Sequence, residues 1–250
     1  MKATHSTIDP DEIGRFAKDA PRWWDESGPF APLHRLNPAR LGYLKTVLCR
    51  HYDRDAKSLK SLADLKIIDI GCGGGLISEP LARLGAVVTG IDGDDVAISV
   101  ARSHAAGNAL DITYLTASTE DLITDRKARF DVVLALEIVE HVTDIDAFVH
   151  DCVSLCKPGG VIIFSTLNKT LKSLALGKVA AEYILRWVPA GTHDWKKFVR
   201  PSTLASALRQ AGATPLEAKG LVFNPLQNTF VMSDTDLDVN YFMIAVKEKP

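Results

Sequence analysis

The chain of 250 residues is short of cysteine, with four (Cys49, Cys72, Cys152 and Cys156) and no C-x-x-C pair among them. That count excludes a dense disulfide framework and points to a reducing compartment, each thiol being a small buried or half-buried group. No run of 18 uninterrupted apolar residues occurs, so no membrane-spanning helix is expected. After Lys2 the N-terminus carries His5, Asp9, Asp11 and Glu12 and no apolar stretch, which does not read as a secretory signal. The expected setting is therefore cytosolic or peripheral. Excess charge is missing too: 29 Lys+Arg stand against 31 Asp+Glu, a formal charge of −2, so the averaged field offers nucleic acid no attraction and no such partner is expected. Repeats and low-complexity tracts are absent, and 46% hydrophobic with 24% charged residues excludes a disordered or fibrous chain. What remains is one larger globular domain, or one with an added subregion, that can bury a sizeable core.

The charge is unevenly placed. Between Asn168 and Arg200, seven basic residues (Lys169, Lys172, Lys178, Arg186, Lys196, Lys197 and Arg200) face only Glu182 and Asp194, giving +5 and leaving −7 elsewhere. Before about residue 62 the texture is helical, with Ile13, Phe16, Ala17 and Ala20 and then Leu41, Leu44, Val47 and Leu48 at helical spacing. Between them the Pro- and aromatic-rich segment from Trp23 to Pro38 is expected to be irregular. From Leu65 short β-rich runs alternate with helical stretches, the pattern of a parallel sheet covered by helices.

The expected strands are Lys66–Ile70, Ala86–Ile91, Ile112–Leu115, Phe130–Leu136 and Gly160–Ser165, with Thr214–Phe223 and Asn240–Val246 as an antiparallel pair at one edge. Helices are expected over Leu76–Leu84, Asp94–Ala106, Ile145–Cys156 and Pro201–Ala211, the third stopped by the turn Lys157-Pro158-Gly159-Gly160. Residues 1–60 read as an N-terminal helical cap on a main domain of residues 61–250, within which 168–200 is a basic amphipathic insertion.

The chemistry begins at Asp69-Ile70-Gly71-Cys72-Gly73-Gly74-Gly75, which follows an expected strand and opens an expected helix. A glycine turn there lets a ligand approach the backbone, with amide groups pointing at it. The next strand ends in Asp92, 21 residues after Gly71, where a carboxylate can accept from ribose hydroxyls. The pair implies an adenosine-containing ligand. A dinucleotide fingerprint would need glycine at position 76 or 78, which hold Leu76 and Ser78, and no GK[ST] phosphate loop exists. The D-x-G-x-G-x-G arrangement around Gly71 and Gly73 instead resembles the first motif of class I S-adenosylmethionine-dependent methyltransferases, in which the methionine end of the ligand lies over the glycine turn.

A second cluster, Glu137, Glu140 and His141, follows the strand ending at Leu136. If the chain turns helical there, the three lie on one face at i, i+3 and i+4. Two carboxylates and an imidazole would suit a divalent cation that lowers a phenol's pKa, with His141 as an alternative general base. They would equally suit a helix N-terminus with no catalytic duty. Arg40 could grip a ligand carboxylate or form a surface ion pair. In the basic segment, Leu171, Leu174, Ala175, Val179, Tyr183, Ile184 and Trp187 recur near helical spacing, as in a membrane-surface helix or a cover over the substrate pocket.

Across nearly its whole length the chain resembles the ubiquinone-biosynthesis O-methyltransferases. The matching strings are RWWDESGPF, PLHRLNPARLGYL, IDIGCGGG, EIVEHV, KPGG, FSTLN, AEYILRWVPAGTHDWKKF and VNYF, of which the tryptophan pair and GTHDW are far more specific than KPGG. The resemblance implies a class I methyltransferase fold with a mostly parallel seven-stranded sheet and helices on both faces. It implies methyl transfer from S-adenosylmethionine to a 2-polyprenyl-6-hydroxyphenol and to 3-demethylubiquinol. It places Arg40, Gly71, Asp92 and Leu136 on the cofactor, Leu136 through its backbone, and Glu137, Glu140 and His141 on a magnesium ion. A polyprenyl tail stays in the bilayer, so the implied partners include an anionic membrane surface on the inner face and other ubiquinone-biosynthesis proteins. The match departs at Leu136, where methionine is expected, and is weak over the first twenty residues. Rival readings are methylation of a ring carbon or another lipid, a nicotinamide oxidoreductase, disfavoured by the missing third glycine, and a non-catalytic cofactor-binding scaffold.

Overall fold

The computed structural model describes Thr7 and residues 19–124, 130–175 and 195–249. The expected helix over Ile13–Ala20 lies outside these residues except for its last, which sits in a 3₁₀ turn at Ala20–Arg22, and most of the basic insertion lies outside them as well.

Eight strands form one sheet: β1 Lys66–Ile70, β2 Val87–Asp92, β3 Thr113–Thr116, β4 Phe130–Leu136, β5 Cys156–Leu167, β6 Ala213–Asn224, β7 Thr229–Ser233 and β8 Asn240–Lys247. Their order is β3-β2-β1-β4-β5-β8-β6-β7, parallel from β3 through β5 and antiparallel beyond. The eighth strand, β7, corrects the expected count of seven. It is a five-residue run that hairpins back on β6 from Asn224 to Thr229, so its pairing is local and its length gives little periodicity to read.

Among the described residues, six helices of six residues or more flank the sheet: α1 Ala31–His51, α2 Ser78–Arg83, α3 Asp95–Gly107, α4 Thr119–Thr124, α5 Ile145–Leu155 and α6 Pro201–Gln210. Asp94 and Asp144 cap α3 and α5 by accepting from Val96 N (2.8 Å) and Ala147 N (3.0 Å). The largest correction is α1, which takes in Pro32 through Pro38 where irregular chain was expected. Pro32 is in the first turn, where a missing N–H costs nothing, but Pro38 is interior and leaves an unmade bond. Tertiary burial outweighs that loss, since Asn37, Arg40, Tyr43, Leu44, Val47, Leu48 and Cys49 are all buried. At β5 the expected Lys157–Gly160 turn is instead an irregular start of the strand, with a register shift opposite Phe130–Val132 and Gly159 at φ +76°.

Alternation along β1 and β4 divides the core. Ile67, Val132, Leu134 and Leu136 point to α1 and α2, where Leu44, Leu48 and Leu81 meet them. Ile68, Ile70, Val133 and Ala135 point to α5 and α6, with Phe148, Cys152 and Leu204. Leu48 is fully buried, whereas Leu226 at the β6–β7 hairpin is 96% exposed. Leu48→Ala should therefore cost about 2–5 kcal/mol in urea unfolding and Leu226→Ala less than about 0.5 kcal/mol. Equal midpoints for the two would mean that α1 does not belong to the core.

Candidate active site

The strand order reverses between β1 and β4, which opens a crevice at their carboxyl ends. The glycine turn, Asp92 and Glu137 all leave the sheet there. Gly71, Gly73 and Gly75 have φ of +72°, +51° and +89°, values that glycine adopts without strain. Four of the turn's five amides are engaged within the fold and not aimed at a ligand as expected. Gly71 N and Cys72 N both donate to Ile91 O (2.8 and 3.0 Å), Gly73 N donates to Asp92 Oδ2 (2.9 Å), and Gly75 N donates to Cys72 O (2.9 Å). A loop that consumes its own amides cannot cradle a phosphate, and it offers a close, uncharged backbone surface instead.

Crowding explains the glycines one by one. A Cβ on Gly73 or Gly74 would come within 2.5 Å of the Trp23 ring, one on Gly75 within 2.3 Å of Tyr114 Oη, and one on Gly71 3.1 Å from Ile138. Beneath the turn, Asp69 is buried and accepts from Ser78 Oγ (2.6 Å), and burial pushes its carboxyl up to about 6. Asp92 uses its second oxygen to accept from Asp94 N (2.9 Å), and burial raises its carboxyl as well.

Past Leu136 the expected helix face does not form. Glu137 sits at φ +56°, left-handed backbone that a non-glycine residue adopts only under local constraint, and only a single 3₁₀ turn follows at Val139–His141. The three side chains therefore diverge. Glu137 accepts from Ser165 Oγ (2.7 Å) and from Asn240 Nδ2 on both oxygens (2.9 and 3.0 Å). Arg40 Nη2 lies 2.8 Å from Glu137 Oε1, at ion-pair distance but out of line for a hydrogen bond. Glu140 turns inward, 3% exposed, where its Oε2 accepts from Thr166 Oγ1 (2.7 Å) and its Oε1 finds no donor. His141 is half-buried at the end of the turn.

Magnesium fits this donor set poorly. Both Glu137 oxygens are engaged by three neighbours, and among the described residues no group of three His, Cys, Asp or Glu side chains is arranged to hold a metal ion. The expected shared cation site is thus not formed by Glu137, Glu140 and His141 in this arrangement. S-adenosylmethionine fits better. Arg40 is 4% exposed, and while its Nη2 is ion-paired with Glu137, its Nε has no partner, which leaves a buried donor for a ligand carboxylate. The Leu136 side chain is in the core beside α1, so its backbone is what it can offer the crevice.

The comparisons agree with this geometry. Residues 68–164 match the family described as Methyltransferase domain. A Ubiquinone biosynthesis O-methyltransferase from Methylobacterium nodulans is 48% identical over 249 residues, covering 100% of this chain and 98% of that one. One from Cereibacter sphaeroides is 47% identical and covers 100% of both. The chain belongs to the ubiquinone biosynthesis O-methyltransferases. Among solved structures, magnesium protoporphyrin IX methyltransferase from Synechocystis PCC 6803 with bound SAH aligns at a TM-score of 0.64 and 19% identity, over 95% of this chain and 97% of that one, a likeness of fold. Family membership makes S-adenosylmethionine the cofactor of this crevice.

Sequence reasoning missed the partners that shape the family's acid cluster here. Ser165 and Thr166 lie in FSTLN and Asn240 in VNYF, strings that carried the resemblance but no evident chemistry. Their role depends on β5 and β8 being neighbours, where Ser165 pairs with Phe242 and Leu167 with Asn240.

Burial and the neighbouring Glu137 hold the Glu140 carboxyl well above the ordinary carboxylate range. Above the unfolded value the unfolded chain loses this proton and the folded chain does not, so stability present at acidic pH is lost as pH rises towards the raised folded value. Glu140→Gln should remove that slope, making the variant about 1–3 kcal/mol more stable than the parent at pH 8 relative to pH 5. Parallel thermal-melting profiles for the two proteins over that range would contradict the neutral, buried acid.

Proposed function

We propose that this protein moves the methyl group of S-adenosylmethionine onto phenolic hydroxyls of polyprenylated ubiquinone precursors, a 2-polyprenyl-6-hydroxyphenol and 3-demethylubiquinol. The observation that carries the reading is 48% identity, end to end, with a relative named for O-methylation in ubiquinone biosynthesis. In this reading residues 61–250 are the catalytic domain, 1–60 its cap and 168–200 its insertion. Arg40 binds the cofactor's carboxylate, Asp92 the ribose, and Gly71, Gly73 and the Leu136 backbone line its bed.

Methyl transfer is an in-line displacement, so alignment and an ionised acceptor supply most of the catalysis. A phenol near pKa 10 is mostly neutral at pH 7. The phenolic proton passes to the His141 imidazole, whose ordinary pKa near 6.5 suits a base. The phenolate oxygen then bonds the methyl carbon as the S–CH3 bond breaks, S-adenosylhomocysteine leaves, and His141 returns its proton to solvent. Glu137 is held beside Arg40 by Ser165 and Asn240, and Glu140 beneath it is the neutral acid that keeps Thr166 in place. No step is routed through magnesium, because the residues that would bind it are otherwise engaged.

Incubation with methyl-labelled S-adenosylmethionine and a short-chain 2-polyprenyl-6-hydroxyphenol should yield a labelled methyl ether. His141→Gln should lower kcat by about 10²–10⁴-fold while leaving cofactor binding intact. Label on a ring carbon, or cofactor binding with no product, would overturn the assignment. Loss of product under chelation alone would require Arg40 and Asn240 to release Glu137 to a cation.

The substrate's tail places the enzyme at a cytoplasmic membrane surface, alongside other ubiquinone-biosynthesis proteins. Among the described residues no helix is long and apolar enough to cross a membrane. The basic insertion is the proposed foot, but Lys172 is already paired with Asp236 (2.7 Å) and Asp238 (3.3 Å), and Lys169 donates to Lys196 O (2.6 Å). Lys178 and Arg186, which lie outside the described residues, are the residues to reverse. Binding to vesicles containing anionic phospholipid should fall by about tenfold in Lys178→Glu/Arg186→Glu at low salt, and unchanged binding would remove the foot.

A further inference from the structure

Two tryptophans lie against the cofactor turn and are bonded to it in different ways. Trp24 Nε1 donates to Gly74 O (3.0 Å), and its indole stacks on His104 with ring centroids 3.5 Å apart and planes 7° from parallel. His104 Nδ1 is 2.6 Å from Oε1 of Glu79, a carboxylate only 2% exposed on α2. Trp23 stacks on Phe30 at 3.7 Å, its carbonyl is 2.8 Å from His34 Nε2, and its ring occupies the space that side chains at 73 and 74 would need. The Trp23 indole N–H is buried with no acceptor.

This chain of contacts links elements that the sheet does not hold together. Gly74 leaves β1 on a turn whose amides are largely consumed internally, yet its carbonyl is fixed from outside by a residue 50 positions earlier. The ring that fixes it rests on α3 through His104 and, through Glu79, on α2. A bond from an indole N–H to a carbonyl contributes modestly to folding, about 0.5–1.5 kcal/mol, but here it sets where one wall of the cofactor bed lies. A misplacement of an ångström in such a wall is felt in binding.

We propose that Trp24 is a positioning residue for the cofactor: stacked on His104 and bonded to Gly74 O, it fixes the glycine turn in the shape that receives S-adenosylmethionine. The inference concerns the cofactor half of the crevice and does not depend on which phenol is the acceptor. Trp24→Phe is the informative variant, because it keeps an aromatic ring to stack on His104 while removing the N–H together with one ring of the indole. His104→Ala removes the platform and leaves the N–H.

The test uses the full chain, with S-adenosylhomocysteine as the probe in titration calorimetry and steady-state kinetics at varied S-adenosylmethionine. Trp24→Phe should raise the dissociation constant and the cofactor KM by about 3- to 10-fold, with kcat and the acceptor KM within twofold of the parent. His104→Ala should move the same two constants in the same direction. A structural role alone predicts a different pattern, a lower Tm with kcat reduced and the cofactor constants unmoved. That pattern, or a dissociation constant within twofold of the parent in a normally folded Trp24→Phe protein, would overturn the proposal. Should His104→Ala fail to fold, Trp24→Phe alone decides it.

Discussion

A single buried cation sets the terms for the whole crevice. Arg40 is surrounded by Glu137, Glu140 and Asp69, and burial alone would drive its guanidinium towards losing its charge. Burial holds Asp69 and Glu140 towards the neutral form, with Glu137 adding to the effect on Glu140, while Glu137 takes the contact with Arg40. This division follows from geometry. Glu137 receives donors from Ser165 and Asn240, whereas Glu140 receives one from Thr166 and leaves an oxygen bare.

Most of the sheet was legible because its signals are local. β1 and β4 fall on their expected residues, and the other strands that were expected differ at their ends. Alternation, the glycine turn and the acid at the end of β2 need only their own neighbourhood to be read. α1 was not legible as far as its N-terminal half is concerned, because the energy that keeps Pro38 in a helix comes from Leu44, Val47 and Leu48 packing on strands of much later sequence. The acid cluster failed for a related reason. Helical spacing at 137, 140 and 141 is a statement about a helix, and a left-handed residue at Glu137 cancels it before the first turn is complete.

The glycine turn shows how one pattern can have two causes. Four glycines in five positions read as room for a ligand, and the positive φ at Gly71, Gly73 and Gly75 fits that reading. The crowding at Gly73 and Gly74 comes from Trp23, so part of the motif answers to the chain's own N-terminal strap. The tryptophan pair and the glycine string are therefore one constraint written in two places, and neither is explained by itself.

The basic insertion makes the same point about charge. Counting lysines gives a net of +5 between Asn168 and Arg200, but net charge is not free charge. Lys172 faces Asp236 and Asp238, and Lys169 lies 5.5 Å above the Trp195 ring while Trp195 Nε1 donates to Thr170 O (3.0 Å). Asn168 and Thr170 are tied in turn to Leu237 O and Asp238 O, at 2.9 and 2.6 Å. These residues close the neck of the insertion against the loop before β8, the strand that carries Asn240. A lysine that holds a neck cannot also be counted in full towards attraction to a membrane. The neck is instead tied to the loop that leads into the strand whose first residue fixes Glu137.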